Sequence, residues 1–172
     1  AELETINNQI LEDLINKKTK LLIDNRMYLR KIIFNNYKKS FEGINKIIDN
    51  KNIQKFICKV DKNLKLIGIT YTGKVFHLDW ESNINNDHKL DNKSLGNINP
   101  NEIINFHSIK KEIKNYLCIL NSDGRFKKVL FDKNMINSNR SFAITKLKNN
   151  TKTIDSFISC LLYTSDAADD LL

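Results

Sequence analysis

The sequence predicts an all-β fold: a propeller-like array of about three four-stranded blades behind a short N-terminal helical lead-in. Three observations lead there. A hairpin-like unit is written three times, as KLLIDNRMYLRKI (Lys20 to Ile32), LIGITYTGKVFHLDW (Leu66 to Trp80) and LCILNSDGRFKKVL (Leu117 to Leu130). The turn positions Met27, Gly73 and Gly124 are 46 and 51 residues apart, a period suited to small sheets that bury their faces by stacking. Helical periodicity is confined to the first twenty residues.

Leu3, Ile6, Ile10, Leu11, Leu14 and Ile15 recur at helical spacing, and Asn16 to Thr19 end that helix. Leu21–Ile23 and Tyr28–Ile33 make the first hairpin, in which Met27 stands where the later copies have glycine. Lys55–Val60 alternates lysine with apolar residues, as a half-buried strand does. Leu64–Thr70 and Lys74–Leu78 flank Thr72-Gly73. Lys114–Leu120 and Arg125–Phe131 flank Asp123-Gly124, a strong turn signal because glycine reaches positive φ without steric cost. Ser141–Leu147 and Ile154–Ile158 read as further strands, and Asn83–Ser94 and Asn134–Asn139 as loops.

The 172 residues suffice for one ordinary domain with a sizeable core. Lys and Arg number 28 against 20 Asp and Glu, a formal charge of +8. Residues 160–172 carry three aspartates and no Lys or Arg, so the rest carries +11. A field of that sign attracts polyanions such as nucleic acid, an anionic membrane or an acidic protein. Cys58, Cys118 and Cys160 lack metal spacing and are odd in number, which reads as reduced, mostly buried thiols. No apolar run reaches the length of a membrane span, and the acidic N-terminus, with Glu2 and Glu4, does not read as a signal peptide.

The repeated pattern of an apolar strand, a Thr-x-x-Gly turn and an aromatic strand with a basic pair resembles the C-terminal domain of type IIA DNA topoisomerase A subunits. NYLCILNSDGRFKKVLFDKNMINSNRSFAITKL carries it best, ending in Phe142-Ala143-Ile144-Thr145-Lys146-Leu147 where the family has a similar strand. The likeness spans roughly residues 11–159. It implies a β-pinwheel, a ring of blades that binds and bends double-stranded DNA on its outer edge. Family rings have five or six blades, so three would be part of one. Gyrase A subunits carry the box QRRGGKG, and that place reads Tyr37-Lys38-Lys39-Ser40-Phe41-Glu42-Gly43. Its loss points to the A-type chain of topoisomerase IV, with a degenerate gyrase A chain as the alternative.

The resemblance further implies a parent A2B2 heterotetramer with an ATPase B subunit, and ATP and Mg2+ handled by other regions. It also implies a cytoplasmic location at the bacterial nucleoid, or an organellar one for a plastid-derived chain. The family's cleaving tyrosine follows an arginine. Tyr28, Tyr37, Tyr71, Tyr116 and Tyr163 follow Met, Asn, Thr, Asn and Leu, so no catalytic residue, metal ligand or cofactor site is expected in this piece. His77, His88 and His107 lack ligand spacing, and Asp79 and Glu81 beside Trp80 read as a strand end.

The candidate DNA-binding residues are basic positions tied to each unit. The first contributes Arg30, Lys31, Lys38, Lys39 and Lys46, the second Lys74 and His77, and the third Arg125, Lys127, Lys128, Lys133 and Arg140. Within each adjacent pair, strand alternation sends one member outward and the other toward a blade interface. For any single lysine, a solvated surface charge is the simpler reading. At the position that recurs after each turn, phosphate contact is at least as good a reading.

The organisation expected is a lead-in over 1–19, a partial β-pinwheel DNA-binding domain over 20–159, and a non-native tail over 160–172. CLLYTSDAAD in that tail resembles the in-frame translation of a transposase sequencing adapter. A propeller-like protein-interaction module is the competing function and would need no basic rim. An enzyme with a central site would need converging Asp, Glu or His at strand starts, a pattern not found. A ring cut after three blades would also expose strand edges.

Overall fold

The computed structural model describes residues 2–33, 54–82, 87–110 and 113–160, without the side chains of residues 3, 33 and 54. The chain divides into two compact units, Ala1–Leu64 with Asp79–Pro100 and Lys65–Leu78 with Asn101–Leu172.

In the first unit, helix α1 (Glu2–Asn16) precedes strands β1 (Thr19–Asp24), β2 (Tyr28–Ile33), β3 (Gln54–Lys59) and β6 (His88–Lys89). These form an antiparallel sheet of order β3-β1-β2-β6, here sheet A. Of the helix's predicted apolar face, Leu14 is buried, Ile10, Leu11 and Ile15 are half-buried, and Ile6 is exposed. Leu21, Leu22, Ile23, Leu29, Leu90 and Leu95 are buried.

The second unit holds two sheets. Strands β4 (Leu64–Thr70), β5 (Lys74–His77), β7 (Ile103–Lys110) and β10 (Phe142–Ala143) give sheet B, of order β10-β5-β4-β7. Strands β8 (Asn115–Asn121), β9 (Phe126–Phe131) and β11 (Thr153–Cys160) give sheet C, of order β11-β8-β9. Its core joins Ile67, Ile69, Val75 and Ile109 of sheet B to Leu117, Ile119 and Phe131 of sheet C, closed by Ile144 and by Ile136 of a short helix α2 (Lys133–Asn137).

The three hairpins share one register. Leu21↔Lys31, Ile67↔His77 and Cys118↔Lys128 are matching cross-strand pairs, as are Leu22↔Arg30, Gly68↔Phe76 and Ile119↔Lys127. In every turn the N–H of the fourth residue donates to the carbonyl of the first, from Met27 to Asp24, Gly73 to Thr70 and Gly124 to Asn121. The fourth residue has positive φ in each, at 63°, 79° and 84°. Met27 thus accepts the conformation that glycine serves in the other copies, at an L-residue's steric cost.

Asp24 helps to fix that first turn. Its Oδ1 accepts from the N–H groups of Arg26 (2.8 Å) and Tyr28 (3.1 Å), and its Oδ2 pairs with the Arg26 guanidinium at 2.8 Å. Burial alone would push this carboxyl up, but those bonds outweigh it and hold it below the usual aspartate value. Asp24→Ala strands two backbone donors beside a fully buried position. A loss of about 2–3 kcal/mol is expected in denaturant unfolding at pH 7.

Each four-stranded sheet takes one strand from beyond the next hairpin in sequence. β6, which follows the second hairpin, pairs with β2 of the first, and β10, which follows the third, pairs with β5 of the second. The same contact seals both returns: Leu90 N–H donates to the Met27 carbonyl and Ile144 N–H to the Gly73 carbonyl, each at 2.8 Å.

Several expectations shift. The strand read over Ser141–Leu147 pairs only at Phe142–Ala143, because the chain leaves the ladder where Ile144 bonds Gly73. The loop read over Asn134–Asn139 includes most of α2, capped by Asp132, whose side chain accepts from Met135 N–H. β7 was not among the expected strands. Among the described residues sheet C has three strands rather than four. Cys118 is buried and Cys58 half-buried, but Cys160 is exposed.

Candidate nucleic-acid interface

In the second unit the tips of two hairpins lie side by side. Thr153, which begins β11, donates its N–H to the Tyr71 carbonyl (2.8 Å) and its hydroxyl to Asn121 Oδ1 (2.9 Å). Ser122 N–H donates to the Lys152 carbonyl at 2.7 Å, and Lys152 N–H to Ser122 Oγ at 2.9 Å. These bonds fix the third turn against the segment that leads into β11.

A cleft of about 570 Å³ opens beside this tip. One wall is the third hairpin, with Asn121, Asp123, Arg125 and Lys127, and the other is the return segment, with Thr145, Lys146 and Lys148. Four cations therefore share the cleft with one carboxylate. Asp123 lies 3.5 Å from the Arg125 guanidinium and also accepts the Arg125 N–H, so it orients that side chain and offsets part of its charge. Lys127 Nζ donates to the Ile144 carbonyl at 3.0 Å, which draws the ammonium to the seam between the walls. Lys146 and Lys148 are exposed. Lys152 is exposed too, its ammonium 4.9 Å from the Tyr71 ring centre.

The predicted residues divide by position. Arg125 and Lys127 meet in the cleft. Lys74 is exposed on β5, and Lys133 and Arg140 are exposed at and beyond α2. Lys128 lies on the opposite face of β9 from Lys127, its ammonium 4.6 Å from the Tyr116 ring centre. Arg30 is half-buried, with Nε and Nη2 buried and lacking hydrogen-bond partners among the described residues. Lys31 is half-buried; burial lowers its pKa, the Asp87 carboxylate works against that, and its N–H donates to Asp87 Oδ1.

His77 donates from Nε2 to the Met135 carbonyl at 2.9 Å, and burial lowers its pKa, favouring the neutral ring. Lys38, Lys39 and Lys46 lie outside the described residues.

Sequence reasoning missed Lys146, Lys148 and Lys152. The alternation Lys146-Leu147-Lys148 was a signal, absorbed into a strand that does not extend so far. Among the described residues, no group of three or more His, Cys, Asp or Glu side chains is arranged to hold a metal ion. No described helix is long and apolar enough to cross a membrane.

No family model and no curated protein matches the sequence. Solved structures do match. The C-terminal domain of DNA topoisomerase IV superposes with a TM-score of 0.55 at 14% identity, over 83% of this chain and 46% of that one. The DNA gyrase A C-terminal domain superposes with a TM-score of 0.50 at 13% identity, over 83% and 48%. The chain thus spans about half the length of each and shares their fold.

Proposed function

We propose that this chain is a DNA-binding module of a type IIA topoisomerase A chain, and that the cleft between the third hairpin and the return segment is part of its DNA surface. The observation that carries this reading is the convergence of Arg125, Lys127, Lys146 and Lys148 on one cleft. It stands on a fold shared with the topoisomerase IV and gyrase A C-terminal domains. Cations so grouped neutralise backbone phosphates, a contact that does not read sequence and releases condensed counterions. Lys74, Lys133 and Arg140 extend the surface, and DNA that is already bent follows it at lower deformation cost.

In the intact enzyme the module guides a DNA segment for strand passage. The ATPase B subunit, with ATP and Mg2+, belongs to that larger assembly, located at the bacterial nucleoid or in an organelle. The A-type chain of topoisomerase IV is favoured over that of gyrase because residues 37–43 retain two of the basic residues and one glycine of the gyrase box.

The test is fluorescence anisotropy of the full chain with labelled duplexes of about 20 base pairs in two unrelated sequences. With about four phosphates neutralised, log affinity should fall against log salt with a slope of about −3 to −4, alike for both sequences. A folded protein that does not bind at low salt would overturn the reading.

A further inference from the structure

Each of the three turns leaves the N–H of the residue after it to be capped by a side chain. In the first turn Asp24 Oδ1 accepts it from Tyr28, and in the second Thr70 Oγ1 accepts it from Lys74, each at 3.1 Å. In the third turn the matching side chain, Asn121, is engaged elsewhere, its Oδ1 taking the Thr153 hydroxyl at 2.9 Å. The capping role passes to Asp123, whose Oδ1 accepts the Arg125 N–H at 3.0 Å. A neutral oxygen does this work in the second turn, and an asparagine side chain makes the same bond to the residue two places on. The third turn therefore needs the oxygen of Asp123 but not its charge.

The charge has its own consequence. Asp123 is the one carboxylate among the residues that line the cleft. Its Oδ2 lies 3.5 Å from Arg125 Nε, on the guanidinium that would otherwise be open to a phosphate oxygen. Lys127 bonds the Ile144 carbonyl, and Lys146 and Lys148 have no ion pair among the described residues. Two effects of the carboxylate on DNA then oppose each other: it orients Arg125, and it competes with phosphate for it. The Arg125 side chain is 61% exposed and that of Asp123 28%. A pair so exposed holds its arginine loosely, so competition outweighs orientation. Asp24 of the first turn also pairs with an arginine, but it is fully buried and serves its own turn.

We propose that Asp123 is an affinity-limiting residue of the cleft: its carboxylate stands in for a phosphate on Arg125 in the free protein and is displaced when DNA enters. This role rests on the proposed function, since it takes DNA as the cleft's ligand. It assigns one residue an effect of opposite sign to that of the cations around it.

Anisotropy with the same labelled duplexes compares the full chain with Asp123→Asn, Arg125→Gln and the double variant. Asparagine keeps the oxygen that caps the Arg125 N–H, so the circular dichroism of Asp123→Asn should match the parent's. At low salt this variant should bind about three- to tenfold more tightly than the parent, with a log–log salt slope steeper by about 1. In the Arg125→Gln background the same substitution should gain at most about twofold, because the group it frees is gone. Weaker binding by Asp123→Asn would overturn the proposal and make the carboxylate a positioning group. An equal gain in both backgrounds would overturn it in favour of general repulsion. Unchanged affinity in Asp123→Asn would overturn it while leaving the proposed function standing, whereas a folded parent that does not bind at low salt would remove both.

Discussion

Gly68→Val is expected to cost the second unit about 3–5 kcal/mol, enough to unfold a domain of ordinary stability in mild denaturant. Gly68 pairs across the hairpin with Phe76, whose ring is 1% exposed and lies edge-on to Phe106. A Cβ at position 68 would fall 2.1 Å from Phe76 Cζ and 2.3 Å from Cε1, inside the ring's own volume. The ring must move, and Phe106 closes one way out. The matching pairs Leu22↔Arg30 and Ile119↔Lys127 carry no ring on the second strand, so the second hairpin is the copy that needs glycine here. Gly68→Val combined with Phe76→Ala should lose about 1–3 kcal/mol less than the two single losses added together. Denaturant unfolding of the four proteins checks the clash, and strict additivity would remove it as the cause.

Acid should weaken the same unit through His107. Asn105 and His107 of β7 face Asp155 and Ser156 of β11, joining an edge of sheet B to an edge of sheet C. Asn105 Nδ2 donates to Asp155 Oδ1 (3.0 Å) and to Ser156 Oγ (2.9 Å), and His107 Nε2 lies 2.8 Å from that same hydroxyl. Burial pushes the imidazole down to about 4, with the Asp155 carboxylate acting in the opposite direction. The unfolded chain, with a histidine near 6.5, binds the proton first. Stability is therefore intact above pH 6.5 and falls as pH drops toward 4, by about 3 kcal/mol from this residue. Below pH 4 both states are protonated and the loss from His107 is complete. Unfolding midpoints of the parent and His107→Asn proteins at pH 7 and pH 4.5 isolate this contribution from that of the carboxylates. Equal pH dependence in the two would show that His107 does not carry it.

The hairpins were legible because their signals are local. Thr72-Gly73 and Asp123-Gly124 need positive φ, and the flanking strands alternate or run apolar. β4 spans the predicted Leu64–Thr70. What the sequence hid is what tertiary pairing supplies. β6 and β10 are two residues each, too short for any pattern, and exist because another repeat offers an edge. In β7, Ile103, Phe106 and Ile109 are buried at a spacing of three, so the strand lacks the period of two that sequence reading seeks. Helix α2 is a single turn whose Asp132 cap lies in an Asn-rich stretch that reads as loop.

The candidate interface was half legible for the same reason. Arg125 and Lys127 belong to the hairpin itself, whereas Lys146 and Lys148 reach the cleft only because the return segment brings them back across it. Arg30 and His77 match Lys127 and Lys128 in register, yet each is half-buried where the third hairpin's lysines are exposed. Sequence gives residue type and register, but not which face the neighbouring repeat covers.

In the proposed function, Arg125, Lys127, Lys146 and Lys148 track phosphates together. The most direct measurement compares salt-dependent duplex binding by the parent chain and by the variant Arg125→Gln/Lys127→Gln/Lys146→Gln/Lys148→Gln, with circular dichroism to show both folded. The expected result is weaker binding by the variant at low salt and a log–log slope shallower by about 3 units than the parent's. Equal affinity and equal slope in the two proteins would contradict it and leave the cleft lysines as solvated surface charge.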